Sequence, residues 1–147
     1  MALTLARGIL AATFGQLRDC GQGRDECVVY WTGPRDTSGT VDDAVIPVHR
    51  AGPDWYETDP AWVTSLFLEL RRERRMVRAQ VHTHPGIASH SHTDDGYPLA
   101  PSPDFYSLVI PRFGMGPVRL NDAYLAVLED DGTWAERDPD TEIKEIT

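Results

Sequence analysis

The chain has 147 residues, 41% of them hydrophobic, enough for one core and too few for two ordinary domains, so a single domain is expected. Its 23 acidic against 14 basic side chains leave a formal charge of -9, a field that repels phosphate polymers and anionic bilayers and so speaks against nucleic acid or a membrane surface as partner. No stretch approaches the ~20 apolar residues of a membrane helix, and the N-terminal segment carries charges without a small-residue cleavage pattern, which together predict a cytoplasmic protein.

Leu3, Leu10, Phe14 and Leu17 recur at helical spacing, with Gly21 and Gly23 as stop signals, and predict an amphipathic helix over 3–19. Cys20 and Cys27 match no CxxC metal or redox spacing, and a reducing compartment speaks against a structural disulfide. Both are read as ordinary small residues. Residues 26–31, Glu-Cys-Val-Val-Tyr-Trp, form a continuous β-prone run and predict a strand buried on both faces, with Glu26 at its head. The polar residues 35–43 predict a surface loop or hairpin tip, and 44–49 a strand pairing back on the first.

Thr58-Asp59-Pro60 combines a capping side chain with proline at the first helical position, and Trp62, Leu66 and Leu70 then supply a buried stripe, predicting a helix to about residue 75. Arg71, Arg72, Arg74 and Arg75 crowd its end. They are read as cations offsetting the helix dipole rather than as an anion site, because no aromatic platform is interleaved with them. Residues 77–83 alternate as a strand that ends in His82-Thr83-His84-Pro85-Gly86. A long irregular segment follows to Asp104, a loop length that is usually functional or disordered. Residues 105–111 predict a strand, and 123–129 joined through Asp130-Asp131-Gly132 to 133–136 a hairpin. The acidic stretch 138–147 is expected to fray.

Residues two apart on a strand share a face, so His82 and His84 present two imidazoles side by side at the strand's end, a geometry suited to one metal ion. A catalytic zinc site takes three protein ligands, and a downstream carboxylate is an apt third. Asp94, in Ser91-His92-Thr93-Asp94, is the candidate. Zinc lowers the pKa of water toward ~7, yet a carboxylate must still accept its proton and pass it on. Glu26, an acid heading an otherwise apolar strand, is placed for that; a solvated strand end is the plainer reading of Glu26 taken alone. His90, His92 and Asp95 are near enough in sequence to compete as ligands or outer-shell partners, whereas His49 is read as a surface or packing histidine.

Taken together, Glu26, His82-Thr83-His84-Pro85-Gly86 and Ser91-His92-Thr93-Asp94 resemble the JAMM metalloprotease family, also called MPN+ or Mov34-type and including prokaryotic JAB-like members. Its pattern is a glutamate on an early strand, then HxHP, then SxxD, and the resemblance spans about residues 5–130. It implies an α/β fold, a mixed sheet flanked by helices and similar to cytidine deaminases. It further implies Zn2+ on His82, His84 and Asp94, Glu26 as general base and then acid, and Ser91 hydrogen-bonding the tetrahedral intermediate. The implied reaction is hydrolysis of an isopeptide or peptide bond at the C-terminal tail of a ubiquitin-like or sulfur-carrier-like protein. The family commonly leaves seven residues between the second histidine and the serine, whereas six separate His84 from Ser91. Ser102-Pro103-Asp104 is rejected as an alternative pair because it is one residue short and lies too late. The H-x-E and PCxxC of zinc deaminases, HEXXH and the P-loop are absent from the sequence. Two readings from other classes stand beside this one: a binding module that docks a protein tail without cutting it, and a zinc hydrolase of small peptides or amides.

Overall fold

The computed structural model describes residues 2–88 and 103–147. In chain order they form β1 (Leu3–Leu5), α1 (Ile9–Gly21), β2 (Val28–Pro34), β3 (Thr40–Val41), β4 (Asp43–Val45), β5 (His49–Gly52), β6 (Trp55–Thr58), α2 (Pro60–Arg72), β7 (Arg75–Thr83), β8 (Tyr106–Ile110), β9 (Tyr124–Leu128), β10 (Trp134–Arg137), α3 (Pro139–Glu142) and β11 (Ile143–Glu145). Six strands make a mixed sheet in the order β10-β9-β8-β7-β2-β4. Only β7 and β8 run parallel in it; every other neighbour is antiparallel. A smaller sheet, β11-β1-β3, is parallel throughout, and β5 with β6 is a separate hairpin. The expected mixed sheet flanked by helices is the fold observed.

The apolar run of β2 is explained by cover on both sides, since a strand sandwiched between layers has no solvent face to keep polar. Val29 and Trp31 point into the core beneath α1 with Leu17, Val81 and Leu108, whereas Val28 and Tyr30 point toward Leu70, Trp62 and Leu66 of α2. All four β2 side chains are fully buried. The Trp31 indole donates to Thr13 Oγ1 at 2.8 Å, and that hydroxyl donates to the Ile9 carbonyl at 2.7 Å, which locks α1 onto the sheet. Thr13→Val leaves the indole N–H buried without this acceptor and should destabilise the fold by about 1–3 kcal/mol in urea denaturation. At the head of α2, the Asp59 carboxylate accepts from the amides of Ala61 (3.0 Å) and Trp62 (3.4 Å), with Pro60 following it in the first turn.

The helix predicted over 3–19 is in fact a strand and a helix. Leu3 and Leu5 alternate inward on β1, and Gly8, at φ 88, turns the chain before α1 begins, a left-handed conformation that glycine adopts without a Cβ penalty. The second helix stops at Arg72, short of residue 75, because Arg74 is left-handed (φ 58) and Arg75 opens β7 on an ion pair with Asp42. The loop expected over 35–43 contains β3. The strand expected over 44–49 pairs with β2 but ends at Val45, and His49 starts a hairpin that the sequence reading did not anticipate. The tail expected to fray instead forms α3 and β11, because β1 needs a partner and Ile143 to Glu145 supply it in parallel register.

The reading of the cysteines is also corrected: Cys20 and Cys27 are joined in a disulfide. Gln22 (φ 54) and Gly23 (φ 69) reverse the chain after α1, which brings the two Cα atoms to 6.1 Å, inside the range a disulfide spans. None of the described helices is long and apolar enough to cross a membrane.

Candidate metal centre

The site is assembled where β7 runs out between β2 and β8. His82 is fully buried and pairs in register with Val28 on one side and Val109 on the other. One residue on, the Thr83 amide donates to the Cys27 carbonyl at 3.0 Å, and the Cys27 amide donates to Thr83 Oγ1 at 2.9 Å. The pairing therefore extends one residue ahead of β2, and Glu26 comes next in the chain, two residues before the register partner of His82. Val28 and His82, paired in register, share the face that looks toward α2, and the His84 ring lies beside that of His82.

Backbone bonds hold His84 in place after the strand ends. Its amide donates to the Ile110 carbonyl, and its carbonyl accepts from Phe113, both at 2.9 Å. Arg112 and Phe113 take positive φ (54 and 55) to make this turn. Non-glycine residues are found there at a cost of order 1–3 kcal/mol each, tolerated where the surroundings over-determine the conformation.

The β5–β6 hairpin walls the site from the α2 side. The carbonyl of Gly52 accepts from the Glu26 amide at 2.9 Å, and the Tyr56 ring lies 5.3 Å from the His82 ring. Tyr30 of β2 hydrogen-bonds with Thr58, which anchors the hairpin's second strand, and burial pushes the phenol up to about 12 against the opposing effect of that bond. The folded chain therefore keeps this proton at pH values where the unfolded chain has lost it. Stability should be unaffected by Tyr30 below pH ~10 and fall as pH rises from there to about 12. Chemical denaturation across that window, with Tyr30→Phe flattening the slope, checks it.

The His82 and His84 rings are 5.1 Å apart between centroids and tilted by 52°. Glu26, only 5% exposed, is far more enclosed than a solvated strand end. Two adjacent imidazoles, one buried and one half-buried, are borderline donors of the kind that zinc and its neighbours accept, so the described residues suit a divalent metal and offer two ligands to it. Ser91 and Asp94, with His90, His92 and Asp95, lie outside the described residues. Of the five site residues singled out from the sequence, the structure sets the His82 and His84 rings side by side, and Glu26 is buried two residues before Val28, the register partner of His82. Sequence reasoning missed Tyr56 and the supporting Thr83 hydroxyl. The hairpin carrying Tyr56 had a signal: Gly52-Pro53-Asp54 followed by the β-prone Trp55-Tyr56-Glu57-Thr58.

No family model matches the chain. A relative named a probable metalloprotease, from Sinorhizobium fredii (strain NBRC 101917 / NGR234), is 30% identical over 142 residues, covering 91% of this chain and 86% of that protein. Two solved structures share the fold. The solution structure of a protein from Desulfitobacterium hafniense is 18% identical with a TM-score of 0.69, covering 98% of this chain and 92% of that one. The crystal structure of a JAB1/MPN domain protein from Archaeoglobus fulgidus is 14% identical with a TM-score of 0.54, covering 99% and 98%.

Proposed function

The chain belongs to the JAMM/MPN metalloprotease family, and on that premise we propose that it is a zinc-dependent peptidase cutting an isopeptide or peptide bond at the C-terminal tail of a ubiquitin-like or sulfur-carrier-like protein. The observation that supports the reading is the imidazole pair at the end of β7, with the buried Glu26 two residues before Val28, the register partner of His82. In this reading His82, His84 and Asp94 hold the ion. Zinc bound there supplies Lewis acidity toward the scissile carbonyl and lowers the barrier to deprotonating water. Glu26 takes a proton from the attacking water as it adds to the carbonyl carbon, then delivers that proton to the leaving amine nitrogen. Ser91 donates a hydrogen bond to the oxyanion, an interaction worth about 3 kcal/mol in other hydrolases.

The test is cleavage of fluorogenic substrates ending in Gly-Gly set against simple dipeptides, on chain loaded with one equivalent of zinc. Cleavage at the Gly-Gly tail alone is the expected result; turnover of dipeptides alone would replace the tail by small amides as substrate. Metal content is expected to be pH-linked, because a protonated imidazole has no lone pair to offer a cation. Elemental analysis after dialysis should find zinc retained at neutral pH and lost on acidification. Full retention at pH 4 would contradict two histidine ligands.

A further inference from the structure

A second group of donor atoms includes Cys27, the residue after Glu26 in the chain. Cys20, in the last turn of α1, and Cys27, just ahead of β2, carry their sulfurs beside His49, the first residue of β5. The Nε2 of His49 is 3.5 Å from Cys20 Sγ, and its Nδ1 is 2.8 Å from the Pro47 carbonyl oxygen. A carbonyl only accepts, so Nδ1 carries a proton, and it is Nε2 that faces the sulfur, the nitrogen whose lone pair a metal takes. A disulfide sulfur has no proton to give to that lone pair. An imidazole whose near nitrogen is pinned by a backbone carbonyl while the far one faces a sulfur is held as metal-ligating histidines are held. The three potential ligand atoms lie within 4.8 Å of one another. A surface cavity of about 240 Å³ opens beside the ring, with His49, Asp59 and the ion pair of Arg50 and Glu57 in its wall.

We propose that Cys20, Cys27 and His49 form a metal site for one soft or borderline divalent cation, closed by the disulfide and opened when a dithiol reduces it. The disulfide takes two electrons and two protons from the dithiol, whose own sulfurs become bonded to each other. The two cysteine thiols then release their protons to solvent as the cation binds two thiolates and the His49 Nε2. Rotation about the Cα–Cβ bonds separates the sulfurs to admit the ion. Two thiolates and one imidazole are a set that zinc accepts, with one position left for water. In the reducing cytoplasm expected from the sequence, dithiol systems favour the open state. The site does not depend on the peptidase reading. It adjoins the other centre through Cys27, whose amide and carbonyl both bond to Thr83 between the two histidines.

Cobalt(II) titration of the full chain tests this. The sequence holds two cysteines, so a cobalt–thiolate charge-transfer band in the near ultraviolet has a single source and cannot arise from His82 and His84. The disulfide form should show no band. After reduction with a phosphine, verified by alkylation of both thiols in a parallel sample, the band should appear and saturate at one equivalent, with circular dichroism unchanged. His49→Phe should weaken cobalt binding at this site by at least ~10-fold, and His84→Ala should leave the band intact, which separates this site from the proposed catalytic one. A folded, reduced chain without the band, equal cobalt affinity in His49→Phe, or unfolding on reduction would each overturn the proposal.

Discussion

Glu26→Gln is expected to lower kcat/KM for tail cleavage by ~10²–10⁴-fold while zinc stays bound, the range a positioned general base contributes. Glutamine keeps the shape of the side chain and cannot accept the proton. The backbone at this position is tied independently of the carboxylate, through the bond from its amide to the Gly52 carbonyl and through Cys27 to Thr83. A change of one atom in a buried position with a fixed backbone therefore isolates proton transfer from folding. Stopped-flow or endpoint cleavage, with metal content measured on the same preparation, gives the answer. Unchanged turnover would remove Glu26 as base; loss of zinc would make it a ligand instead.

His84→Ala is expected to abolish stoichiometric zinc binding in the disulfide form, and the catalysis with it. His84 is the better probe of the pair because His82 is fully buried, so truncating His82 opens a cavity and confounds metal loss with lost packing. A ligand that binds only the folded state raises stability by about 2.7 kcal/mol at a hundredfold excess over Kd and about 4.1 at a thousandfold excess. Zinc should therefore raise the melting temperature of the parent chain and leave that of His84→Ala unmoved. A variant that still gains stability from one equivalent of zinc would place the ion elsewhere.

The second helix was legible because its signals are local: Asp59 caps its own first turn and Pro60 fits the first helical position. The burial of β2 was legible for the same reason, since an unbroken apolar run announces cover on both faces. The pairing of β9 with β10 could be read from Asp130-Asp131-Gly132 between two β-prone runs. The first strand was not, because the three residues of β1 are specified by β11 and β3, from opposite ends of the chain and from the loop after β2. Leu3 and Leu5 fit a helix stripe nearly as well as a strand alternation, and the left-handed Gly8 that separates the two is one glycine among 12. His49 was read as a packing histidine because nothing near it in sequence ligates; its sulfur neighbours reach it from α1 and from just ahead of β2.

The sequence by itself determined the donor chemistry: two imidazoles at a spacing of two can share only one face of a strand, whatever surrounds them. It also determined that β2 must be sandwiched, since four consecutive large apolar side chains admit no solvent face. Only the tertiary structure decided that Glu26 is buried just ahead of the strand that pairs with the one carrying His82, and that two cysteines seven residues apart meet. The reason is that strand register across 56 residues, as between Cys27 and Thr83, is set by which side chains the two helices bury on each face, and a single-residue slip would have turned Val28 to the face opposite His82.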